Sequence, residues 1–163
     1  VDVGYGQLAW KLQSDPRVEV HDRTNVRTLD PASVAPAPDI VVGDMSFISL
    51  TLVLPALVAA AAPDADFLLM VKPQFEIGKE RLGHGGVVRN PEHHVETVEN
   101  VARCAIGLGL DIAAIAPSPL PGPSGNVEYF LYMRRDYPEP INPQELTEYI
   151  RRAVAEGPAG GAL

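Results

Sequence analysis

The sequence is poor in cysteine, in aromatic residues and in basic side chains. Cys104 is the single cysteine among 163 residues, which excludes an internal disulfide and favours a reducing compartment such as the cytoplasm. The four histidines show no metal-ligand spacing, so no metal site is predicted. Lysine and arginine total 13 against 21 acidic residues, a net charge of −8. This balance excludes a broad phosphate-binding surface and leaves room only for a local basic patch.

Long apolar runs are also lacking. The nearest candidate is the segment 47–62, which Ser49, Thr51 and Pro55 interrupt, and which is shorter than the ~18 residues expected of a membrane span. It predicts a buried helix and no stable membrane insertion. The chain opens on Val1 without a basic stretch and apolar run of a signal peptide, and we expect it to be part of a longer protein.

What the sequence does contain is an alternation of short apolar runs and helical patterns. Predicted strands cover residues 1–3, 18–20, 39–43, 67–71, 110–116 and 127–133. Predicted helices cover residues 7–13, 47–62, 91–107 and a last segment capped by Asn142 with Glu145 in its first turn. This order indicates an α/β fold with a largely parallel sheet over residues 1–156, followed by a flexible tail at 157–163. Residues 73–90 are predicted to form a long loop, and loops of this length inside a compact domain are usually functional.

Ligands of such sheets bind beyond the carboxyl ends of the strands, where several polar residues lie. Asp2 lies at the end of the first strand and could accept ribose hydroxyls, or it could cap a helix or a turn. Thr24 and Asn25 lie in the loop after the second strand. Asp44 could hold an ammonium group or orient a base, or it could cap the helix that follows.

Two further charged residues lie within or directly after predicted apolar strands. Lys72 ends the most apolar strand and is either solvated or, in its neutral form, a general base. Glu128 lies inside Val127–Phe130 and needs a partner, for which Lys72 is the natural candidate, unless it faces water at a sheet edge. Glu128 shares an edge with the other residues only if its strand runs antiparallel to theirs.

Four motifs in this order resemble a known family. They are Val-Asp-Val-Gly-Tyr-Gly-Gln-Leu at 1–8, Gly-Asp-Met-Ser-Phe-Ile-Ser-Leu at 43–50, Val-Lys-Pro-Gln-Phe-Glu at 71–76 and Pro-Leu-Pro-Gly-Pro-Ser-Gly-Asn-Val-Glu-Tyr-Phe at 119–130. On these motifs the chain resembles the TlyA family of rRNA methyltransferases, named after haemolysin A and related to the FtsJ-like ribose methyltransferases. The likeness covers about residues 1–156.

The resemblance implies a Rossmann-like, S-adenosylmethionine-dependent methyltransferase fold whose product is 2′-O-methylated cytidine in ribosomal RNA. Asp44, Lys72 and Glu128 match the second, third and fourth members of the Lys-Asp-Lys-Glu tetrad of related enzymes. The resemblance further implies that Asp2 binds the cofactor ribose and that Asp44 lies near its methionine end. Thr24 and Asn25 match the loop near the adenine more loosely.

The sequence departs from the family at its start. The glycine-rich cofactor loop, the first sheet strand, the first tetrad lysine and a small basic RNA-binding domain have no counterpart in it. We therefore expect contact with ribosomal subunits to depend on that domain, and this chain alone to bind the cofactor weakly and to be inactive. The resemblance also predicts that strand 127–133 runs antiparallel between strands 67–71 and 110–116, with a gap beside strand 39–43.

Two other functions are compatible with the sequence. A membrane-active haemolysin would need an exposed amphipathic or spanning segment, for which only residues 47–62 qualify. A non-catalytic ligand-binding domain with a Rossmann-like sheet would not need Lys72 and Glu128 to meet, so contact between these two side chains separates it from the enzyme.

Overall fold

The structure, a computed structural model, describes residues 1–160. Its strands are β1 (Ile40–Gly43), β2 (Asp66–Val71), β3 (Asp111–Pro117) and β4 (Tyr129–Arg134). Its helices are α1 (Trp10–Gln13), α2 (Leu50–Ala60), α3 (Pro73–Glu76), α4 (Pro91–Gly107) and α5 (Leu146–Glu156). Short 3₁₀ turns occupy Val26–Thr28, Pro31–Val34, Lys79–Arg81 and His84–Gly86.

The four strands form one sheet in the order β1-β2-β4-β3. β1 and β2 are parallel, whereas β4 is antiparallel to both of its neighbours, β2 and β3. β1, β2 and β3 therefore share one direction, and β4 alone runs against them. This confirms the predicted α/β sheet, mostly parallel with one reversed strand between residues 67–71 and 110–116.

One face of the sheet carries the core. Phe67, Leu69 and Val71 of β2 are fully buried, and α4 and α5 pack against this side of the sheet. On the opposite face Leu68 is 43% exposed. A continuous apolar run like that of β2 is typical of a strand covered on both faces. In the described residues the fully buried side chains of β2 all lie on one face.

β1 is an edge strand. It pairs with β2 alone among residues 1–160, and Ile40 and Val42 are 66% and 72% exposed. A small cleft of about 190 Å³ opens here beside Val42 and Leu68. The gap predicted beside residues 39–43 corresponds to this free edge.

α4 has the predicted bounds because both of its ends are encoded locally. The Asn90 side chain accepts the Glu92 N–H, and Pro91 occupies the first turn, where its missing N–H costs nothing. Apolar residues at helical spacing then bury one face, among them Val98 and Val101, both fully buried.

α2 is shorter than the predicted helix over 47–62. Ser49 caps it by accepting the Thr51 N–H, and Phe47 has a φ of 63°, which no α-helix accommodates. Pro55 lies inside the helix and leaves the Thr51 carbonyl without its N–H partner. The Cys104 thiol lies 3.9 Å from that carbonyl oxygen and supplies a weak donor.

The N-terminal predictions were wrong in several places. Residues 1–3 and 18–20 form no strand, and the helix expected over 7–13 spans only Trp10–Gln13. A strand needs a neighbour; here the Asp2 N–H donates to the His21 carbonyl, and the Thr24 N–H donates to the Asp2 carbonyl, which is too few bonds for a ladder. Apolar patterning alone cannot supply the missing partner.

The last helix starts later than predicted. Asn142 accepts the Gln144 N–H in a turn, and α5 begins at Leu146 after Glu145, whose side chain makes no capping bond. Beyond α5, Ala159 packs into the core, and residues 161–163 of the predicted tail lie outside the described residues. Across residues 1–160, no helix is both long and apolar enough to cross a membrane.

Candidate active site

The sheet register brings three charged residues that are distant in the sequence to the same end of the sheet, where the parallel strands β1 and β2 finish. Val71 pairs with Tyr129 in the antiparallel ladder of β2 and β4, so the next residue of one strand, Lys72, faces the preceding residue of the other, Glu128. β1 is parallel to β2 and ends at Gly43, which pairs with Leu69. Asp44, the residue after β1, therefore lies at the same end of the sheet as Lys72.

Lys72 lies between the two carboxylates. Its Nζ is 2.5 Å from Asp44 Oδ1 and 3.9 Å from Glu128 Oε1. It also donates to Ser46 Oγ at 3.3 Å. The Lys72 side chain is 11% exposed and that of Glu128 8%, whereas Asp44 is 68% exposed. The site thus joins one largely buried ion pair to one solvent-facing carboxylate.

The surroundings of Glu128 fix its carboxylate tightly. Gln74 Nε2 donates to Glu128 Oε1 at 3.0 Å. The backbone of Gly122 lies so close that a Cβ there would stand 2.9 Å from the same oxygen. The Glu128 carbonyl also accepts the Ser118 N–H at 2.7 Å, which continues the ladder beyond the last residue of β3 and ahead of the first residue of β4. The carboxylate therefore has little freedom to move.

The loop that carries Ser46 is held by Glu76 of α3. The Glu76 carboxylate accepts the Ser49 hydroxyl at 2.5 Å and the Leu50 N–H at 2.7 Å, and so occupies the start of α2. Burial raises the pKa of Glu76, and both hydrogen bonds oppose that rise. Since α3 follows Lys72 directly, this contact fixes the loop relative to the lysine.

Two phenylalanines lie at the mouth of the site. Phe47 is 89% exposed and has a φ of 63°, a conformation that costs a bulky residue on the order of 1–3 kcal/mol. Its ring packs against that of Phe75, with the ring centroids 5.0 Å apart. An exposed aromatic ring in a strained backbone is more typical of a binding site than of a packing element.

A cleft of about 1110 Å³ surrounds these residues. Charged side chains on its wall are Arg27, Lys72, Lys79 and Glu128. Lys72 is paired with Asp44 and Glu128, so Arg27 and Lys79 are the cations through which this wall can contact a phosphate.

At the far rim of the cleft, Asn126 joins the loop before β4 to the segment 86–88 through two hydrogen bonds. Its Oδ1 accepts the Val88 N–H and its Nδ2 donates to the Gly86 carbonyl, both at 2.9 Å. The Val88 carbonyl in turn contacts His94 Nε2 at 2.9 Å, and His94 Nδ1 contacts the Tyr129 hydroxyl at 3.1 Å. Burial lowers the pKa of His94 and raises the pKa of Tyr129, so both are neutral near pH 7.

Of the four residues predicted to contact a cofactor, Asp44 lies beside Lys72, and the other three lie in the N-terminal segment. Asp2 and Thr24 are joined by a backbone hydrogen bond of 2.9 Å. Asp2 Oδ1 accepts the Gly4 N–H at 2.6 Å, and Asn25 Oδ1 accepts the Arg27 N–H at 3.0 Å. The structure places these three together, beside the 3₁₀ turn that contributes Arg27 to the cleft.

Several site residues were not among those predicted from the sequence. Gln74, Ser46 and Asn126 each lie within a motif that was recognised but had no role assigned to its polar side chains. The available signal was position, because each is two residues from Lys72, Asp44 or Glu128. No cluster of three or more His, Cys, Asp or Glu residues suited to a metal ion occurs within residues 1–160.

The chain is similar to curated proteins over almost its whole length. The "16S/23S rRNA (cytidine-2'-O)-methyltransferase TlyA" of Mycobacterium tuberculosis is 52% identical over 157 residues, which are 96% of this chain and 59% of that protein. A provisionally named rRNA methyltransferase of Bacillus subtilis, YqxC, is 42% identical over 159 residues, 96% of this chain and 56% of that protein. The chain thus spans less than two thirds of the curated relatives that it matches.

A solved structure has the same fold. A provisionally named hemolysin from Streptococcus thermophilus aligns with a TM-score of 0.83 and 34% identity, over 94% of this chain and 56% of that one. The family model described as "FtsJ-like methyltransferase" matches residues 1–135, and this match includes the strand-edge residues Asp44, Lys72 and Glu128. The chain belongs to the FtsJ-like methyltransferase family.

Proposed function

We propose that the protein to which this chain belongs methylates a ribose 2′-hydroxyl of ribosomal RNA with S-adenosylmethionine as the methyl donor. The observation that carries the proposal is the position of Lys72 Nζ between the carboxylates of Asp44 and Glu128. A non-catalytic ligand-binding domain has no need of this contact between distant residues. The relative named as a 16S/23S rRNA (cytidine-2'-O)-methyltransferase supports cytidine as the target.

Lys72 is the general base of this proposal. In its amine form Lys72 would take the proton of the 2′-hydroxyl, whose oxygen would accept the methyl group that S-adenosylmethionine supplies. Asp44, Ser46 and Glu128 hold Nζ in position through the contacts already described. General-base catalysis of this kind contributes about 10²–10⁴-fold to a rate, and alignment of the reacting groups contributes further.

The residues present suit the chemistry of the cofactor. S-adenosylmethionine, when bound, supplies an electrophilic methyl group. Asp2 offers a carboxylate to its ribose hydroxyls, and Thr24 and Asn25 lie beside Asp2 in the segment proposed to face the adenine. Asp44 keeps 68% of its side chain exposed, so it can also accept the ammonium of the methionine part.

The walls of the cleft suit a nucleic acid. Arg27 and Lys79 border it and are both exposed, as expected of groups that contact phosphates. The exposed ring of Phe47, supported by Phe75, offers an aromatic face on which a base can stack. Binding of whole ribosomal subunits through a separate basic domain, and a cytoplasmic location, stay predictions.

The test uses the complete gene product with tritiated cofactor and isolated small and large ribosomal subunits. Alkali cleaves RNA through a free 2′-hydroxyl, so a 2′-O-methylated nucleotide survives hydrolysis within a labelled dinucleotide. We expect label in alkali-resistant dinucleotides containing cytidine. The control uses subunits that the enzyme has already methylated to completion with unlabelled cofactor, and these should take up no tritium. Label in mononucleotides or in free base, or none at all, would contradict the proposal.

A further inference from the structure

Residues 44–49 join β1 to α2, and we call them the Phe47 loop. The ring of Phe47 lines the cleft and is 89% exposed, and the residue has a φ of 63°. A bulky residue keeps such a backbone conformation only where the surrounding structure imposes it. The contacts at the two ends of the Phe47 loop therefore decide where this ring lies.

The two ends of the loop are held in different ways. At the first end β1 pairs with β2, and Asp44 contacts Lys72. At the second end the partner is the carboxylate of Glu76, and both of its oxygens are used. Oε2 accepts the Ser49 hydroxyl at 2.5 Å, and Oε1 accepts the Leu50 N–H at 2.7 Å. Glu76 thus fixes the end of the loop that no strand reaches.

Capping of α2 does not account for this carboxylate. The Ser49 hydroxyl oxygen already accepts the Thr51 N–H at 3.2 Å, and a serine caps a helix without help from a second side chain. Burial raises the pKa of Glu76, so the charged form is held there at a cost that an uncharged residue would avoid. The carboxylate also comes from a residue 27 positions away from Ser49.

α3 contacts the Phe47 loop through two consecutive residues. The Phe75 ring packs against the ring of Phe47, with the centroids 5.0 Å apart. The next residue, Glu76, holds Ser49, which is two residues after Phe47. α3 itself begins directly after Lys72. The short helix therefore links the position of the exposed ring to that of the proposed base.

We infer that Glu76 is a positioning residue, which fixes the ring of Phe47 relative to Lys72 and so aligns the target nucleotide with the proposed base. The inference rests on the proposed function, because it assumes that a base stacks on Phe47. Glu76 itself contacts the loop and the start of α2, and it acts on the substrate only through them.

The first test compares two substitutions in the complete gene product. Glu76→Ala removes both acceptors, whereas in Glu76→Gln the amide oxygen can accept the Leu50 N–H and the amide nitrogen can donate to Ser49 Oγ. We expect kcat/KM for ribosomal subunits to fall about 10–10²-fold in Glu76→Ala, since a misplacement of about 1 Å has effects of this size. Glu76→Gln should stay within about threefold of the unsubstituted protein. KM for S-adenosylmethionine should not change in either.

Two further variants are controls for charge and for folding. Glu139→Ala removes an exposed carboxylate outside the cleft and should leave all of these parameters unchanged. Glu76→Met fills the space of the original side chain without an acceptor, and so guards against a fault of folding caused by the void in Glu76→Ala. It should show the same loss as Glu76→Ala.

A double-mutant cycle separates positioning from general support of the fold. If Glu76 acts through the ring of Phe47, its removal matters little once the ring is gone. Adding Glu76→Ala to Phe47→Ala should then lower kcat/KM for ribosomal subunits by less than about threefold further. Losses that multiply in full would show that Glu76 only supports the fold, and would overturn the inference.

The second test reports the ring without any methyl transfer. 4-Fluorophenylalanine is inserted at position 47 of the complete gene product by amber suppression, and its ¹⁹F resonance is recorded. We expect this resonance to shift or broaden in Glu76→Ala and to stay in place in Glu76→Gln and in Glu139→Ala. Such a result in a protein that methylates no RNA would sustain the positioning of the ring by Glu76 and refute the proposed function. A resonance unchanged in Glu76→Ala would refute the inference and leave the proposed function in place.

Discussion

Residues 1–49 and residues 50–160 fall largely within one family match yet are held in very different ways. No residue of 1–49 is buried, and Val3 and Trp10 are 71% and 78% exposed. From Leu50 onward the chain contributes the whole buried core, including Phe67 and Tyr129 with no exposed surface. Apart from β1, which pairs with β2, the first region is linked by scattered backbone hydrogen bonds, whereas the second contains the other three strands and the helices packed on them.

Apart from Asp44, which lies in the first region and contacts Lys72, the two regions carry different parts of the proposed chemistry. Lys72 and Glu128 project from strands whose other residues form the core, so their positions are fixed by packing. Asp2 lies in the exposed region, where its position depends on a few hydrogen bonds. Proton transfer, cofactor binding and global stability should therefore respond separately to substitution, and each of the following changes tests that separation.

The largest effect is expected at Lys72. Lys72→Ala removes the proposed base, and methylation of ribosomal subunits by the complete gene product should fall by about 10²–10⁴-fold. Because Lys72 lies in the second region, binding of S-adenosylmethionine measured by calorimetry should change less than about threefold. Methylation near the unsubstituted level would show that Lys72 is not the base.

The contrast in packing predicts a large difference between two leucines. Leu69 is fully buried in β2 and Leu12 is 46% exposed in the N-terminal region. Leu69→Ala should lower the free energy of unfolding by about 2–5 kcal/mol, and Leu12→Ala by less than about 0.5 kcal/mol. Urea unfolding followed by circular dichroism measures both. Equal losses would mean that the first region is as firmly packed as the second.

Asp2 should affect cofactor binding without affecting stability. Asp2→Ala removes the carboxylate proposed for the ribose hydroxyls, and two charge-assisted hydrogen bonds suggest a loss of affinity on the order of tenfold or more. The melting temperature should not change, since the side chain is exposed. Asp22→Ala is a useful comparison, because Asp22 accepts the Gly6 N–H nearby but is assigned no cofactor contact. If the two variants bind the cofactor alike, Asp2 has only a local structural role.

The smallest expected effect is the pH dependence contributed by His94. Burial lowers its pKa in the folded protein, so below about pH 6.5 the unfolded chain takes up a proton that the folded protein resists. Stability from this residue is complete above that pH and declines as the pH falls toward the lower folded-state value. His94→Gln should flatten the melting temperature between pH 7.5 and 5.5, whereas His21→Gln, in the exposed region, should not. A slope unchanged in His94→Gln would assign the acid sensitivity elsewhere.

Much of the site was predictable because it depends on the ends of strands. Once β4 is antiparallel to β2, Lys72 and Glu128 must meet, and the apolar runs around both residues identified those strands. The contact of Gln74 with Glu128 was not predictable in this way. Gln74 lies in a segment without apolar periodicity, and its hydrogen-bond partner is 54 positions away along the chain.

The amino-acid sequence by itself determined the elements whose signals are local. α4 has its cap, its proline and its apolar stripe within one segment, and it forms between the predicted residues. The buried strands β2 and β4 were likewise located by their own composition, apart from shifts of one or two residues.

Only the tertiary structure decided the features that need a distant partner. Apolar patterning at residues 1–3 and 18–20 predicted strands, but a strand forms only when a neighbour takes up its hydrogen bonds along its length. In the described residues, Asp2 makes two such bonds and no ladder forms. The positive φ of Phe47 and the fixed amide of Gln74 likewise depend on groups brought near by folding. Propensity acts along the chain, whereas pairing, burial and charge contacts act across it.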